Sequence, residues 1–359
     1  MNNGFDLLRK EVIDCNICTG CTACVAVCSK EIITFKDDKP MLIMGSRDDC
    51  YDCELCYTIC PRSTQMQEEI EDFLGDQEII GPFIKICSGK SKLDDVQNRA
   101  QDGGIVTSIL FDLLDHNFID GAMVIKNVNW NAIPTLITDK DDLLLCEGTV
   151  YDYGSPLQIF QDYTSLKNRL KDLKHGINLS RLAIVGLPCQ IKAIRKMKLI
   201  SPGEGVIPSD LIVFLIGLFC FENFEHDKFL DIIKKKADTS GNEIIKMNIS
   251  KGKLILNLSD GIEKSLPVKE LSDAMRDGCS ACRDFTNQFA DISIGSVGSE
   301  QGYSTVIIRT KIGEQFYTHA LLNNSISEKI LLPKDIERIK KVGKIKLKKV
   351  KTIDFKPDT

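Results

Sequence analysis

The 359-residue chain has no apolar run long enough to cross a bilayer. Its longest, Leu211–Phe221 (LIVFLIGLFCF), is eleven residues, against the roughly 20 a spanning helix needs. It reads instead as a strand buried in a covered sheet. The opening residues MNNGFDLLRKEVID hold no apolar core, so no export leader is expected and the thiols are expected to stay reduced. No G-x-G-x-x-G follows a strand and there is no P-loop, which argues against a standard Rossmann site and against nucleotide hydrolysis. Histidine is scarce: His116, His175, His226 and His319 lie in separate contexts, read as surface residues, and no Ser/His/Asp arrangement suggests itself. Positive charge is scarce at the front, with ten acids and one arginine in residues 48–78, and concentrated at the end, with nine bases and two acids in 334–351. The net charge of −5 and the cysteine-rich acidic segment argue against nucleic-acid binding.

What the chain has in excess is cysteine. Nine of its 15 fall between Cys15 and Cys60. Cys18, Cys21, Cys24 and Cys28 are spaced C-x2-C-x2-C-x3-C, and Cys50, Cys53, Cys56 and Cys60 repeat the spacing before Pro61. This is the bacterial-ferredoxin run for two [4Fe–4S] clusters, in which the last cysteine of each run ligates the other cluster. Cys18, Cys21, Cys24 and Cys60 are therefore assigned to one cluster, and Cys50, Cys53, Cys56 and Cys28 to the other. Zinc units are normally two CxxC pairs set further apart. Ser29 stands where proline is usual, and Cys15 extends the cadence upstream, read as a spare thiol with replacement of Cys18 as a ligand the alternative. Cys189 follows one strand, Cys220 ends the next, and Cys279 and Cys282 form Cys-Ser-Ala-Cys. Strand ends on one edge of an α/β sheet are where ligands gather, so these four are either a third four-thiolate site or buried structural cysteines. Cys87 and Cys146 stand in strand-like surroundings and read as core residues.

The first 80 residues are short, acidic and cysteine-punctuated, and Gly81-Pro82 makes a boundary. Beyond it helices at Ile105–Leu114, Ser165–Leu173, Gln190–Met197 and Glu225–Lys236 alternate with strands at Gly121–Lys126, Leu182–Val185, Leu211–Phe221, Ile244–Ile249, Lys253–Leu258, Asp291–Ile294 and Ser304–Thr310. The fold class expected is α+β to α/β: a ferredoxin-like domain over 1–80, a mixed-sheet α/β domain over 81–332, and a basic tail over 333–359 that is a lysine-rich helix or arm. Gly103-Gly104 opens a helix, where bare amides and the dipole favour phosphate, although two glycines also serve ordinary turns. Gly295–Gly302 is a second glycine-rich loop, between two strands.

Taken together, QDGGIVTSIL, IDGAMVI, GLPCQIKAIRKMK, GLFC and CSACRDFTNQFADISIGSVGSEQGYSTVIIRT give the chain its likeness. It resembles the family of the beta subunits of coenzyme F420-reducing hydrogenase and formate dehydrogenase, which includes the input module of the dehydrogenase of reduced coenzyme F420. The resemblance runs from the ferredoxin units to about Gly313. It implies an FAD site, coenzyme F420 as substrate and a third [4Fe–4S] cluster, in the setting of an anaerobic methanogenic archaeon. By that likeness Gln101, Asp102, Gly103, Gly104 and Thr107 contact flavin, with Gly148, Thr149 and Tyr151 nearby, and Gly295, Gly298 and Gly302 close over it. Cys189, Cys220, Cys279 and Cys282 become the third cluster's ligands. Val150 departs from the family, which often has lysine there. Lys126, Lys192, Arg195, Lys196 and Arg283 are other sources of positive charge, each also readable as a solvated surface residue.

The expected activity is hydride exchange between coenzyme F420 and FAD, with single electrons passing through three clusters to or from a partner subunit. No catalytic side chain is invoked. The chain is expected to be cytoplasmic, with any membrane association through its partner complex, and the acidic segment and basic tail are candidate docking surfaces. The alternatives are an FAD and iron–sulfur reductase of another organic substrate, and an electron-transfer subunit without flavin turnover. The intact QDGG and glycine loop argue against the latter.

Overall fold

The computed structural model describes residues 4–36, 38–74, 79–146, 148–162, 179–200 and 208–350. The helix expected at Ser165–Leu173, and His175, lie outside the described residues. Among the described residues no helix is long and apolar enough to cross a membrane.

The head keeps its sequence repeat in its backbone. Each cysteine loop closes into one helical turn, Ala23–Ala26 or Leu55–Thr58. Gly20 and Asp52, just before the second cysteine of each run, have φ of 71° and 53°. Thr22 and Glu54, just after it, have φ of 56° and 58°. Two left-handed residues flanking one cysteine coil the chain tightly enough to make neighbours of three thiols. Between the loops β1 (Ile33–Lys36) and β2 (Lys39–Leu42) form an antiparallel pair.

The body starts with β3 (Lys85–Ser91), β4 (Gly121–Val128), β5 (Asn131–Ile137), β6 (Leu182–Gly186) and β7 (Ile212–Leu218). Next come β8 (Ile244–Ser250), β9 (Lys253–Leu258) and β10 (Glu263–Pro267), an antiparallel three-stranded sheet of their own. The series ends with β11 (Ile292–Gly295), β12 (Ser304–Ile308) and β13 (Ile326–Ile330). Eight strands make one mixed sheet in the order β13-β3-β12-β11-β7-β6-β4-β5. β4, β6, β7 and β11 are parallel, and the other neighbours are antiparallel.

β7 explains the long apolar run, because both its faces are covered. Phe214 and Ile216 pack with the helices Ile105–Asp115 and Lys311–Leu322, while Ile212 and Leu215 pack with Ile191, Ala193 and Ile194 of the helix Pro188–Leu199. That second core also takes in Ile17, Val25, Ile59 and other apolar residues of the head, so head and body share one apolar interior. The helix His226–Ala237 packs on the three-stranded sheet through Phe229 and Ile233. The basic tail is a helix over Pro333–Lys349, anchored by Ile339 beside Ile80, Phe285 and Ile307. Among the described strands of the body, β5, β10 and β13 are not foreseen in the sequence, and β3 is foreseen only as strand-like surroundings of Cys87. β3, KICSGKS, is held as a strand by its position between β12 and β13.

Candidate metal centre and cofactor site

Because β6, β7 and β11 are parallel neighbours, their C-terminal ends open on one edge. Cys189 follows β6, Cys220 follows β7, and the loop Gly295–Gly302 follows β11. β3 is antiparallel to β12, and β12 to β11, so β3 runs the same way. Its end leads toward Gln101–Gly104, and Gly103 N donates to Ser304 Oγ at 3.0 Å at the start of β12. The parallel sheet thus gathers the scattered cysteines and both glycine loops at one rim, as expected for ligand sites in such sheets.

The thiols form three neighbourhoods, and all are free of disulfides. Burial pushes Cys24 well up, and Cys21, Cys18 and Cys60 push the same way as negative neighbours. Burial pushes Cys56 up to about 12, with Cys53, Cys28 and Cys50 adding to it. The last cysteine of each run therefore lies with the other run. The third neighbourhood joins Cys220 with Cys279, Cys282 and Cys189, again on top of a dominant effect of burial. Among the described residues, the one group of three or more potential ligands whose donor atoms all lie within 4.8 Å is Asp112, His116 and His319. Four sulfurs on one zinc ion would sit about 3.8 Å apart at the usual Zn–S length. Among the described residues no thiol set has three sulfurs all within 4.8 Å of one another, a spacing that leaves room for a multi-iron cluster.

The three sets follow one another. Cys189 is among the neighbours that raise Cys21, after burial. A Cβ on Gly278 would stand 2.3 Å from Cys18 O, so the Cys279–Cys282 loop lies directly on the inner head loop. Tyr153 sits between them, its hydroxyl 3.7 Å from Cys189 Sγ, with the Arg276 guanidinium 4.6 Å from its ring centre. On the head's far side, Cys56 is a weaker neighbour of Cys24. The order is third set, inner head set, outer head set.

Buried cations clamp the backbone of these loops, a feature no motif announces. Arg62 donates from Nη1 to Ala281 O at 2.9 Å and from Nη2 to Gly278 O at 3.0 Å. Its buried Nε has no partner among the described residues. Such a donor beside Cys282 and Cys189 suits an acceptor held by those thiols. Lys346 Nζ donates to Cys220 O and Asp284 O, both at 2.7 Å. Burial pushes the Cys282 thiol up, but Lys346 and Arg62 outweigh it and bring it below the ordinary range. Lys196, readable from sequence as a solvated residue, is fully buried. It donates to Cys60 O at 2.8 Å, Gln65 O at 2.7 Å and Ser63 Oγ at 3.0 Å. Lys192 is half-buried, Arg195 pairs with Asp291 at 3.2 Å, Lys126 is half-buried and Arg283 is exposed. Arg62 follows Pro61 closely enough to have been singled out, whereas Lys346 is one lysine in a lysine run.

The residues expected to contact flavin fall into two connected groups. Gln101 Nε2 donates to Met247 O at 3.0 Å, and Tyr151 Oη accepts from Ile249 N at 2.8 Å, both on β8. Asp102 has its carboxyl raised by burial, with Lys246 opposing. Gly104, at φ 69°, precedes the helix Ile105–Asp115 without a side-chain cap, leaving its first-turn amides available to an anion. Thr107, Thr149 and Val150 are half-buried. Gly148 and Gly302 have φ of 90° and 79°, with no atom within 4 Å of where a Cβ would stand, so both loops leave room beside them. An uncapped helix start with a lysine near it and two open glycines fits a phosphate-bearing flavin.

Some residues stand elsewhere than the sequence suggests. His116 and His319 are not separate: their ring centres are 4.9 Å apart across Asp112. His319 Nδ1 lies 2.6 Å from Asp112 Oδ2 and His116 Nδ1 2.9 Å from Asp112 O, while Ser325 and Asn323 donate to Asp112 Oδ1. The trio is a satisfied polar clasp between two helices. Cys87 is in the core as expected, whereas Cys146 is half-buried in a helical turn.

Comparison with known proteins agrees with this geometry. Residues 86–160 and 179–334 match the N-terminal and C-terminal parts of the coenzyme F420 hydrogenase/dehydrogenase beta subunit, and residues 17–65 match a 4Fe-4S dicluster domain. A component of the F(420)H(2) dehydrogenase of Methanosarcina mazei is 33% identical, the match covering 86% of this chain and 83% of that one. The coenzyme F420-dependent sulfite reductase of Methanocaldococcus jannaschii is 32% identical over 97% of this chain, which spans only 52% of that protein's length. A chain in the F420-reducing [NiFe] hydrogenase complex of Methanosarcina barkeri superposes with a TM-score of 0.68 at 31% identity, covering 77% of this chain and 92% of that one.

Proposed function

The chain belongs to the family of coenzyme F420 hydrogenase/dehydrogenase beta subunits, and we propose that it exchanges a hydride with coenzyme F420 at an FAD site and conducts single electrons through three [4Fe–4S] clusters to or from a partner subunit. The observation that carries this is the contiguity of the three thiol sets, the body's set lying directly against the inner head set at Gly278 and Cys18. When bound, FAD converts between hydride and single electrons and the clusters carry the electrons singly.

The chain's own residues supply holding, insulation and charge. Cys189, Cys220, Cys279 and Cys282 would hold one cluster, Cys18, Cys21, Cys24 and Cys60 the second, and Cys28, Cys50, Cys53 and Cys56 the third. Gly104 and the first-turn amides after it, with Lys246, would hold the flavin's phosphates, while Gly103, hydrogen-bonded to Ser304, and Gln101 and Tyr151, hydrogen-bonded to β8, brace that loop. Tyr153 and Arg276 fill the space between the body's thiols and the head's, excluding water there. In domain terms, residues 1–80 are the conducting head, 81–332 the flavin-bearing body, and 333–359 a basic C-terminal segment.

The test is anaerobic mixing of the reconstituted protein with reduced coenzyme F420 and a viologen dye. Coenzyme oxidation coupled to dye reduction is expected, and none with full FAD and iron would overturn the reading. Iron should be about twelve atoms per chain for three clusters, and about eight would remove the body's cluster. Cys189→Ala should lower iron by about four atoms; unchanged iron contradicts its role as a ligand. Val150 favours a second reading, reduction of another organic substrate at the same flavin, which predicts full cofactor content with no turnover of coenzyme F420.

A further inference from the structure

The helix Pro333–Lys349 lies almost wholly beyond the family match, which ends at residue 334. Its sequence reads as a solvated basic face, and most of its lysines are exposed, but Lys346 is only 3% exposed. Three contacts place it. Ile339 packs against the Cα of Gly298, where a Cβ would come within 2.8 Å of Ile339 Cδ1. Gly343 passes so close to Ile79 that a Cβ would stand 2.3 Å from Ile79 Cγ2. One turn further on, Lys346 reaches the carbonyls of Cys220 and Asp284 at 2.7 Å each. Lys349 follows, with its ammonium 4.7 Å from the ring centre of Phe221 and 3.4 Å from Glu222.

We propose that Lys346 is a positioning residue for electron transfer: a fixed ammonium, delivered by the C-terminal helix, that stabilises the electron-bearing state of the cluster held by Cys189, Cys220, Cys279 and Cys282. The inference rests on the three-cluster reading above. Reduction adds negative charge to a site already built from four thiolates, and cluster potentials follow net charge and hydrogen bonding around the sulfurs. In a poorly solvated interior a nearby fixed charge acts far more strongly than in water. The other charged groups facing the set are Arg62 on the Gly278 and Ala281 carbonyls, Lys192 and Arg276 on its borders, and Asp284, whose own carbonyl Lys346 holds. Arg62 comes from the head and Lys346 from the chain's end, so Cys282 lies between cations from opposite ends of the sequence.

The test uses the full-length, cluster-loaded protein as wild type, Lys346→Gln and Lys346→Arg, with iron analysis and an EPR-monitored reductive titration. Glutamine removes the charge while keeping a polar N–H donor on a side chain one bond shorter, and arginine keeps the charge. The expected result is unchanged iron in both variants, one of three reductive transitions moved to lower potential in Lys346→Gln, and all three near wild type in Lys346→Arg. The proposal is overturned if no transition moves in Lys346→Gln, or if arginine shifts it as far as glutamine does. Loss of about four irons from Lys346→Gln also overturns it, because the residue would then hold the site together and not set its charge. Wild-type iron of about eight atoms would instead sink the three-cluster reading, and this proposal with it, before any variant is compared.

Discussion

Cys18–Cys28 and Cys50–Cys60 share a spacing and a backbone, including left-handed residues at the same two places, yet they meet different surroundings. Cys21 and Cys24 are buried, Ser155 donates to Cys21 O at 2.7 Å, and Gly278 lies against Cys18. Cys50 is half-buried and Cys53 exposed, beside the exposed side chains of Met44, Tyr51 and Asp52. The first loop lies within the interior that head and body share, whereas the second joins it through Cys56, Ile59 and Cys60 and ends in an exposed tip at Cys50–Cys53. Spacing sets what a loop can ligate; what the body places against it sets whether it is a relay or a terminus.

The widest gap between the loops should come from removing a thiol. Cys21→Ala and Cys53→Ala should each lose about four irons. Only Cys21→Ala should also lower the thermal midpoint steeply, since it opens the shared interior, whereas the Cys53→Ala fold should hold. Equal midpoints, measured alongside iron content, would break the comparison.

Next in size is the cation beneath the buried end of the second run, at Cys60 and just after it. Lys196→Met leaves the carbonyls of Cys60 and Gln65 without their donor, a loss of about 3 kcal/mol by analogy with buried charged partners, readable by denaturant titration. The same residue gives a pH signature. Burial and the neighbouring charge of Lys192 bring the Lys196 ammonium down to about 8, against roughly 10.4 in an unfolded chain. Between those values the unfolded chain binds more protons, so stability rises with pH across the window and is flat below it as far as Lys196 is concerned. Lys192 and Lys198 are lowered by burial as well and add slope of the same sign. Lys196→Met should therefore flatten the rise without abolishing it; an identical slope in wild type and variant would show that Lys196 does not titrate there.

Much of this architecture was legible before the fold. The doubled spacing of eight cysteines pointed to a two-cluster ferredoxin-like head because such spacing is a local signal, and residues 17–65 match a 4Fe-4S dicluster domain. β6 and β7 were readable as apolar runs after which Cys189 and Cys220 stand. The clamps were not readable. Lys196 and Lys346 sit among other lysines, and only tertiary packing of Ile194 and Met197, or of Ile339 and Gly343, selects which one is buried. β3 was foreseen only as strand-like surroundings of Cys87, because its small polar residues settle as a strand between two partners. The clasp of His116, His319 and Asp112 joins residues about 200 positions apart, beyond the reach of any local pattern.

The smallest expected effect is at the tip itself. Its loop is tied to the rest of the head by Arg47, which reaches Asp6 at 3.0 Å and Asp52 at 3.6 Å, with all three side chains open to solvent to some degree. Exposed pairs of this kind contribute about 0–1 kcal/mol and weaken as salt screens them. Arg47→Ala should therefore shift the denaturant midpoint by less than about 1 kcal/mol, a change that shrinks further in high salt. Lys196→Met, whose partners are shielded, should keep its full loss at any ionic strength. A loss at Arg47 comparable to that at Lys196 would mean the exposed tip at Cys50–Cys53 is as tightly bound into the fold as the buried end of the same run at Cys60. The distinction between relay and terminus would then have to come from the chemistry at the two thiol sets and not from how the protein holds them.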